Sequence, residues 1–204
     1  MLTIIDYGAG NLFNVQKAFE YLGATPHITQ DPADIATATQ LVLPGVGAFG
    51  AGMNTLVRLG LADPIRDYIR ASNPFLGICV GFQFLFEGSD ESPGVQGLGI
   101  FKGHVRQFSA DTLTVPHMGW NTLNVQSDSG HYYDSVDRTD SVYFVHSFYV
   151  DTPETQIVST TTPYGHAFVS SIQTDQLLAT QFHPEKSGPV GLSILRQFLN
   201  RFHT

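Results

Sequence analysis

The first four residues after Met1, Leu-Thr-Ile-Ile (2–5), form an apolar run that a turn-forming stretch, DYGAGN, brings to an end. Such a run reads as a short buried strand. Apolar positions Val15, Ala18, Phe19 and Leu22 then recur at helical spacing, with Gly23 placed to close the helix. A second strand is expected near Thr25–Thr29, followed by a short acidic linker, and a third at Gln40–Leu43 that runs straight into PGVGAFG. Helical spacing returns over Met53–Leu59 and Pro64–Ala71, then a strand at Phe75–Cys79 and a helix at Val80–Phe86. Strands alternating with helices over the first ninety residues predict an α/β fold, doubly wound, with helices on both faces of its sheet.

From about Gly103 the pattern changes to short alternating segments rich in Thr, Val, Ser, Tyr and Phe. Strands are expected at Phe144–Val150, Ala167–Ile172 and Leu177–Phe182, some of them antiparallel, which makes the sheet mixed though mainly parallel. A closing helix over Val190–Phe202 carries Leu192, Leu195, Phe198, Leu199 and Phe202 on one face. With no repeat, low-complexity segment or long linker, the 204 residues read as one domain.

Charge narrows the possible partners. The formal net charge is −8, and the ten Lys and Arg are scattered rather than clustered. Phosphate binding needs a basic patch, so nucleic acid is not an expected partner. Only 14% of the residues are charged, which hints that part of the surface is covered by another chain. No apolar run approaches the ~18 residues of a membrane helix, and no membrane role is expected. The N-terminal segment lacks a basic region before Lys17, so a secretory signal is not expected either. A single cysteine allows no internal disulfide and no Cys-cluster metal site, and it suits the reducing cytoplasm.

That cysteine, Cys79, lies in Gly77-Ile78-Cys79-Val80-Gly81 between the expected strand and helix. The spacing is that of a nucleophile elbow, where a sharp turn lifts a reactive side chain above a sheet and glycines permit the close backbone approach. The other reading is a small buried hydrophobe. A thiolate nucleophile needs a histidine to activate it and to protonate the leaving group. Of the eight histidines, His183 stands directly after a strand, in QFHPEKSG. Glu185, two residues on, can face the same way in extended chain and hold the imidazole in one tautomer. Pro184 keeps His183 extended. Taken alone, the segment also reads as a surface turn. The third piece is Pro44-Gly45-Val46-Gly47, at a strand's C-terminal end, where α/β sheets bind ligands. Such a turn can aim a backbone N–H at an oxyanion beside the N–H of Val80; a plain βα turn is its other reading.

Together GICVGFQ, PGVG and QFHPE resemble the class I (triad) glutamine amidotransferases. DYGAGN, VPHMGWN (115–121), YFVHSFY (143–149) and QFHPEKSG (181–188) are further similar to the glutaminase subunits of imidazole glycerol phosphate synthase. The resemblance covers essentially the whole chain. It implies a Cys79–His183–Glu185 triad that hydrolyses glutamine to glutamate and ammonia without metal or organic cofactor. It implies that Gln83 helps bind glutamine, alongside the backbone of Gly45, Val46 and Gly47. It also implies a (β/α)8-barrel cyclase on a separate chain, which takes the ammonia directly, in histidine biosynthesis. Asn11, Trp120, Tyr143, His146 and Lys186 are the implied contacts with that chain, although a lone tryptophan is also a natural core residue. Val80 and Phe82 stand where Leu and Met are more usual in this family. The competing expectations are a glutaminase serving another pathway, a stand-alone cysteine hydrolase and a non-enzymatic regulatory chain.

Overall fold

The computed structural model describes residues 1–8, 11–111, 113–126 and 130–201. The first half runs β1 (Leu2–Ile5), α1 (Leu12–Tyr21), β2 (His27–Thr29), α2 (Pro32–Thr37), β3 (Gln40–Leu43), α3 (Phe49–Arg58), α4 (Ala62–Arg70), β4 (Phe75–Ile78) and α5 (Val80–Gln83). The second adds β5 (Gly88–Ser89), β6 (His104–Gln107), β7 (His117–Thr122), β8 (Asn124–Val125), β9 (Ser141–His146), β10 (Phe148–Asp151), β11 (Val158–Tyr164), β12 (His166–Gln173), β13 (Leu177–Thr180) and α6 (Gly188–Arg201). The main sheet is ordered β2-β1-β3-β4-β13-β12-β10-β6-β5, with β11 on β12 and β8 on β11; β7 and β9 form a separate antiparallel pair.

Strands β2, β1, β3, β4 and β13 are mutually parallel, and every residue of β1, β3, β4 and β13 is buried. That burial on both faces explains their continuous apolar runs. The chain steps one way from β1 to β2 and the other way from β2 through β3 to β4. Right-handed crossovers therefore set α1 on one face and α2, α3 and α4 on the other. Beyond β13 the partners β12, β10 and β6 pair antiparallel. Among the described residues no helix is long and apolar enough to cross a membrane.

Several expected elements shift. Helix α1 ends as its periodicity predicts: Gly23 takes φ +91°, its N–H reaches the Glu20 carbonyl, and the N–H of Ala24 reaches that of Phe19. The acidic linker is in fact helix α2, begun by Asp31, whose side chain accepts from the N–H of Ala33, with Pro32 as first helical residue. The helix expected over Val80–Phe86 is α-helical only to Gln83: the N–H groups of Leu85 and Phe86 turn to the Phe82 and Gln83 carbonyls at the tighter i→i−3 spacing, and the Phe84 and Leu85 carbonyls accept from Leu98, Ile100 and Phe101. The single strand expected over Phe144–Val150 breaks at Ser147 into β9 and β10, which belong to different sheets. On α6, Leu195, Phe198 and Leu199 are buried and Leu192 is half-buried; Phe202 lies outside the described residues.

Candidate active site

Three neighbouring parallel strands, β3, β4 and β13, deliver the candidate residues at their C-terminal ends. Cys79 directly follows β4, and its N–H is held by the Thr180 carbonyl of β13 at 2.7 Å. Its backbone sits at φ +54°, ψ −107°, a conformation that L-residues rarely adopt and that costs on the order of 1–3 kcal/mol. The glycines on either side make the turn possible. A Cβ on Gly81 would stand 2.0 Å from the Leu43 carbonyl oxygen, and one on Gly77 would meet the Gly81 carbonyl at 3.0 Å. Sequence spacing thus becomes a strained elbow with the sole thiol at its apex.

The elbow borders a cavity of about 160 Å³ lined by Val46, Gly47, Cys79, Val80, Gln83, Val145, His146, Ser147 and His183. Val46 and Gly47, the latter at φ +93°, face it from the turn after β3. Gly45 instead packs against the elbow, where a Cβ would stand 2.7 Å from the Gly81 nitrogen. Val80 opens α5, so its N–H has no partner within the helix.

His183 is extended (φ −98°, ψ 95°) and pinned by backbone: its N–H donates to the Tyr143 carbonyl at 3.0 Å, and its carbonyl accepts from Ser187 Oγ at 2.6 Å. Its Nδ1 stands 2.8 Å from Glu185 Oε1, both side chains only 1% exposed. The carboxylate accepts a hydrogen bond from Nδ1–H and leaves Nε2, which has no hydrogen-bond partner at ordinary geometry, for chemistry. Burial opposes charge on this ring, but the negative charge of a Cys79 thiolate, hydrogen bonding to Cys79 and Glu185, and the Glu185 charge outweigh it. The pKa rises from 6.5 to about 10. Protonation of His183 therefore contributes stability that is complete below about pH 6.5 and is lost as pH climbs through about 10. The difference in denaturant midpoint between the parent chain and Cys79→Ala should shrink across that window, since Cys79 is the strongest influence holding the proton. A difference that widens would contradict the pairing.

Gln83 is buried, and its Nε2 donates to the Phe148 carbonyl at 3.2 Å and to Gln181 Oε1 at 3.0 Å. His146 is also buried and lines the cavity wall rather than the outer face. Burial, with smaller contributions from His117 and His183, pushes its pKa down to about 3 against a raising bond to Phe148; burial takes that of His117 down to about 4. Both rings are neutral at pH 7, so His183 has no cationic neighbour in that wall. The remaining candidates lie further out. Trp120 is 60% exposed on β7, directly opposite Tyr143 on β9, with ring centres 6.1 Å apart. Lys186 Nζ lies 5.8 Å from the centre of the Tyr143 ring, and Asn11 stands half-buried at the start of α1.

Sequence reasoning passed over three residues here. Gln181 reaches Cys79 Sγ, Met118 is 63% exposed beside Trp120, and His117 bonds His146. The i, i+2 spacing of Gln181 from His183 and of Met118 from Trp120 carried the signal. Among the described residues, no three His, Cys, Asp or Glu side chains stand together as a metal site.

The family model described as glutamine amidotransferase class-I matches residues 3–202. The chain is 50% identical to the imidazole glycerol phosphate synthase subunit HisH of Salinibacter ruber over 97% of its length and 93% of that protein. It is 47% identical to the subunit of the same name from Syntrophotalea carbinolica, over 97% and 98%. A chloroplastic imidazole glycerol phosphate synthase hisHF of Arabidopsis thaliana is 46% identical over 98% of this chain, which covers 34% of that longer protein. Among solved structures, a glutamine amidotransferase superposes with a TM-score of 0.76 at 17% identity over 99% of both chains, and PurLQS from Thermotoga maritima with 0.75 at 19% over 98% and 97%. The chain belongs to the class I glutamine amidotransferases and, within them, to the HisH subunits of imidazole glycerol phosphate synthase.

Proposed function

We propose that this chain, as one amidotransferase domain working in the cytoplasm, hydrolyses glutamine and hands the ammonia to a cyclase of (β/α)8-barrel fold docked over the site. The observation that carries the reading is the buried His183–Glu185 pair at 2.8 Å, whose histidine lines one cavity with a strained Cys79 elbow. In the reaction, the Cys79 thiolate attacks the side-chain carbonyl carbon of glutamine. The carbonyl electrons move onto oxygen, which the Val80 N–H and an N–H of the Gly45–Gly47 turn receive. Protonated His183 gives its Nε2 proton to the departing nitrogen, the C–N bond breaks, and neutral ammonia leaves behind a glutamyl thioester. Water then attacks as His183 takes its proton; the C–S bond breaks, glutamate departs and the thiolate returns. Glu185 stabilises the imidazolium throughout. The carbonyl oxygen of Gln83 is that amide's remaining polar atom and offers glutamine an acceptor in the cavity wall.

Ammonia released into neutral water would be mostly protonated and useless as a nucleophile, so a covered exit is required. Met118, Trp120, Tyr143 and Lys186 supply the docking face. Large exposed aromatics are the usual anchors of such contacts, costing ~2 kcal/mol or more when truncated. Trp120→Ala should therefore weaken cyclase binding about 30-fold. Because Trp120 is 60% exposed, the same change should alter stability by no more than ~0.5 kcal/mol. The test combines calorimetric titration with glutamate release in the presence of the cyclase subunit. Unchanged affinity would remove Trp120 from the interface, and full glutaminase activity without any partner would favour a stand-alone hydrolase.

A further inference from the structure

We propose that Gln181, two residues before His183, positions the Cys79 sulfur by donating a side-chain N–H to it; this rests on Cys79 being the nucleophile. Gln181 is fully buried just past the end of β13, and its Nε2 lies 3.7 Å from Sγ, within reach for an acceptor as large as sulfur. Its backbone N–H donates to the Ser170 carbonyl at 2.8 Å, so the residue is fixed at both ends.

Which end of the amide faces the sulfur follows from the surrounding network. The Phe148 carbonyl can only accept, and it receives Gln83 Nε2 at 3.2 Å and His146 Nδ1 at 2.8 Å. Gln83 therefore turns its nitrogen that way, and the same nitrogen lies 3.0 Å from Gln181. Gln181 must meet it with oxygen, which directs its own NH2 to Cys79. The other arm is equally determined. His146 donates its Nδ1–H to the Phe148 carbonyl, so its Nε2 accepts from His117 Nδ1 at 3.0 Å, and His117 Nε2 accepts from Asn121 Nδ2 at 3.2 Å. Asn121 also donates to the Pro163 carbonyl at 2.9 Å. The amide that touches the sulfur is thus oriented through Gln83 by the Phe148 carbonyl, on which the donors of both arms converge. A fixed donor on Sγ limits the directions in which it can approach a substrate carbonyl and supports its charge when the thioester breaks.

Gln181→Glu keeps the shape and the acceptor for Gln83 but removes the donor; Gln181→Met fills the volume with neither. The readouts are the rate at which iodoacetamide alkylates Cys79, the only thiol, and kcat and KM for glutamine with the cyclase subunit bound. Alkylation and kcat should each fall ~10-fold or more in both variants while KM moves less than about threefold, the scale of one charge-assisted hydrogen bond. Gln181→Glu, though closer in shape, should be the slower of the two; a purely packing role gives the reverse order. Unchanged alkylation, or that reverse order, would overturn the proposal. If either variant fails to fold, the unaltered chain decides, labelled with 15N-glutamine. The Gln181 side-chain N–H signals should move when Cys79 is capped as a methyl disulfide, and unmoved signals would overturn it. A parent chain whose Cys79 ignores a glutamine-like electrophile would instead sink the nucleophile itself.

Discussion

Cys79→Ala, assayed with the cyclase subunit bound, should lose glutamine-dependent product formation by about 10⁴-fold or more while free ammonia still supports it. The size of the loss reflects a nucleophile with no substitute, because the described residues contain no second thiol. The selectivity follows from the chemistry: this chain's part ends once the C–N bond of glutamine is broken, and ammonia supplied from solution bypasses that step. The substitution removes one sulfur atom and leaves the elbow's backbone as it was, so the folded chain and its docking face should persist. Loss of both activities would mean that the variant no longer docks or folds. Retention of both would mean that Cys79 is a buried hydrophobe after all.

Gly81→Ala should be one of the most damaging single methyls that can be added near the site. Its Cβ would stand 2.0 Å from the Leu43 carbonyl oxygen and 3.0 Å from its carbon. Both atoms belong to the backbone of β3, which is paired on each side with β1 and β4. Nothing there can rotate away, unlike a side-chain tip. The cost should be about 3 kcal/mol, at the upper end for overpacking, and a melting temperature lower by roughly 6–12 °C. Gly94→Ala is the comparison. At φ +85° with nothing within 4 Å, it should lose only about 1 kcal/mol from left-handed strain. Thermal melts of the two variants decide it; equal losses would mean that the β3 backbone yields to the added methyl.

Both predictions use features already visible as letters, yet not all to the same depth. The pair Gly77 and Gly81 around Cys79 announced an elbow because few other backbones require glycine at that spacing. The i, i+2 relation of His183 and Glu185 survives intact because it depends on two residues of one extended segment. What escaped was decided between segments. Helix α5 tightens after Gln83, where Leu85 and Phe86 bond Phe82 and Gln83, and the loop around Leu98–Phe101 takes the Phe84 and Leu85 carbonyls so that it goes no further. The break at Ser147 was hidden because Phe144–Val150 looks like a single β-strand, whereas its halves pair with β7 and with β6 and β12. Gln181 sat inside a motif already read, but its meeting with Cys79 and Gln83 depends on β13 lying beside β4. The sequence pattern alone does not contain that neighbour relation. His146 shows the same limit, since its ring turns into the cavity wall on a hydrogen bond to Phe148.

The central claim is that glutamine is opened through a covalent bond to Cys79. Its most direct measurement is rapid acid quenching of the chain–cyclase complex during turnover of glutamine, followed by peptide mass spectrometry. The mechanism predicts a glutamyl group on the peptide containing Cys79, sensitive to hydroxylamine as a thioester is, and absent from Cys79→Ala. Steady release of glutamate with Cys79 unmodified at every quench time, and undiminished in Cys79→Ala, would contradict it.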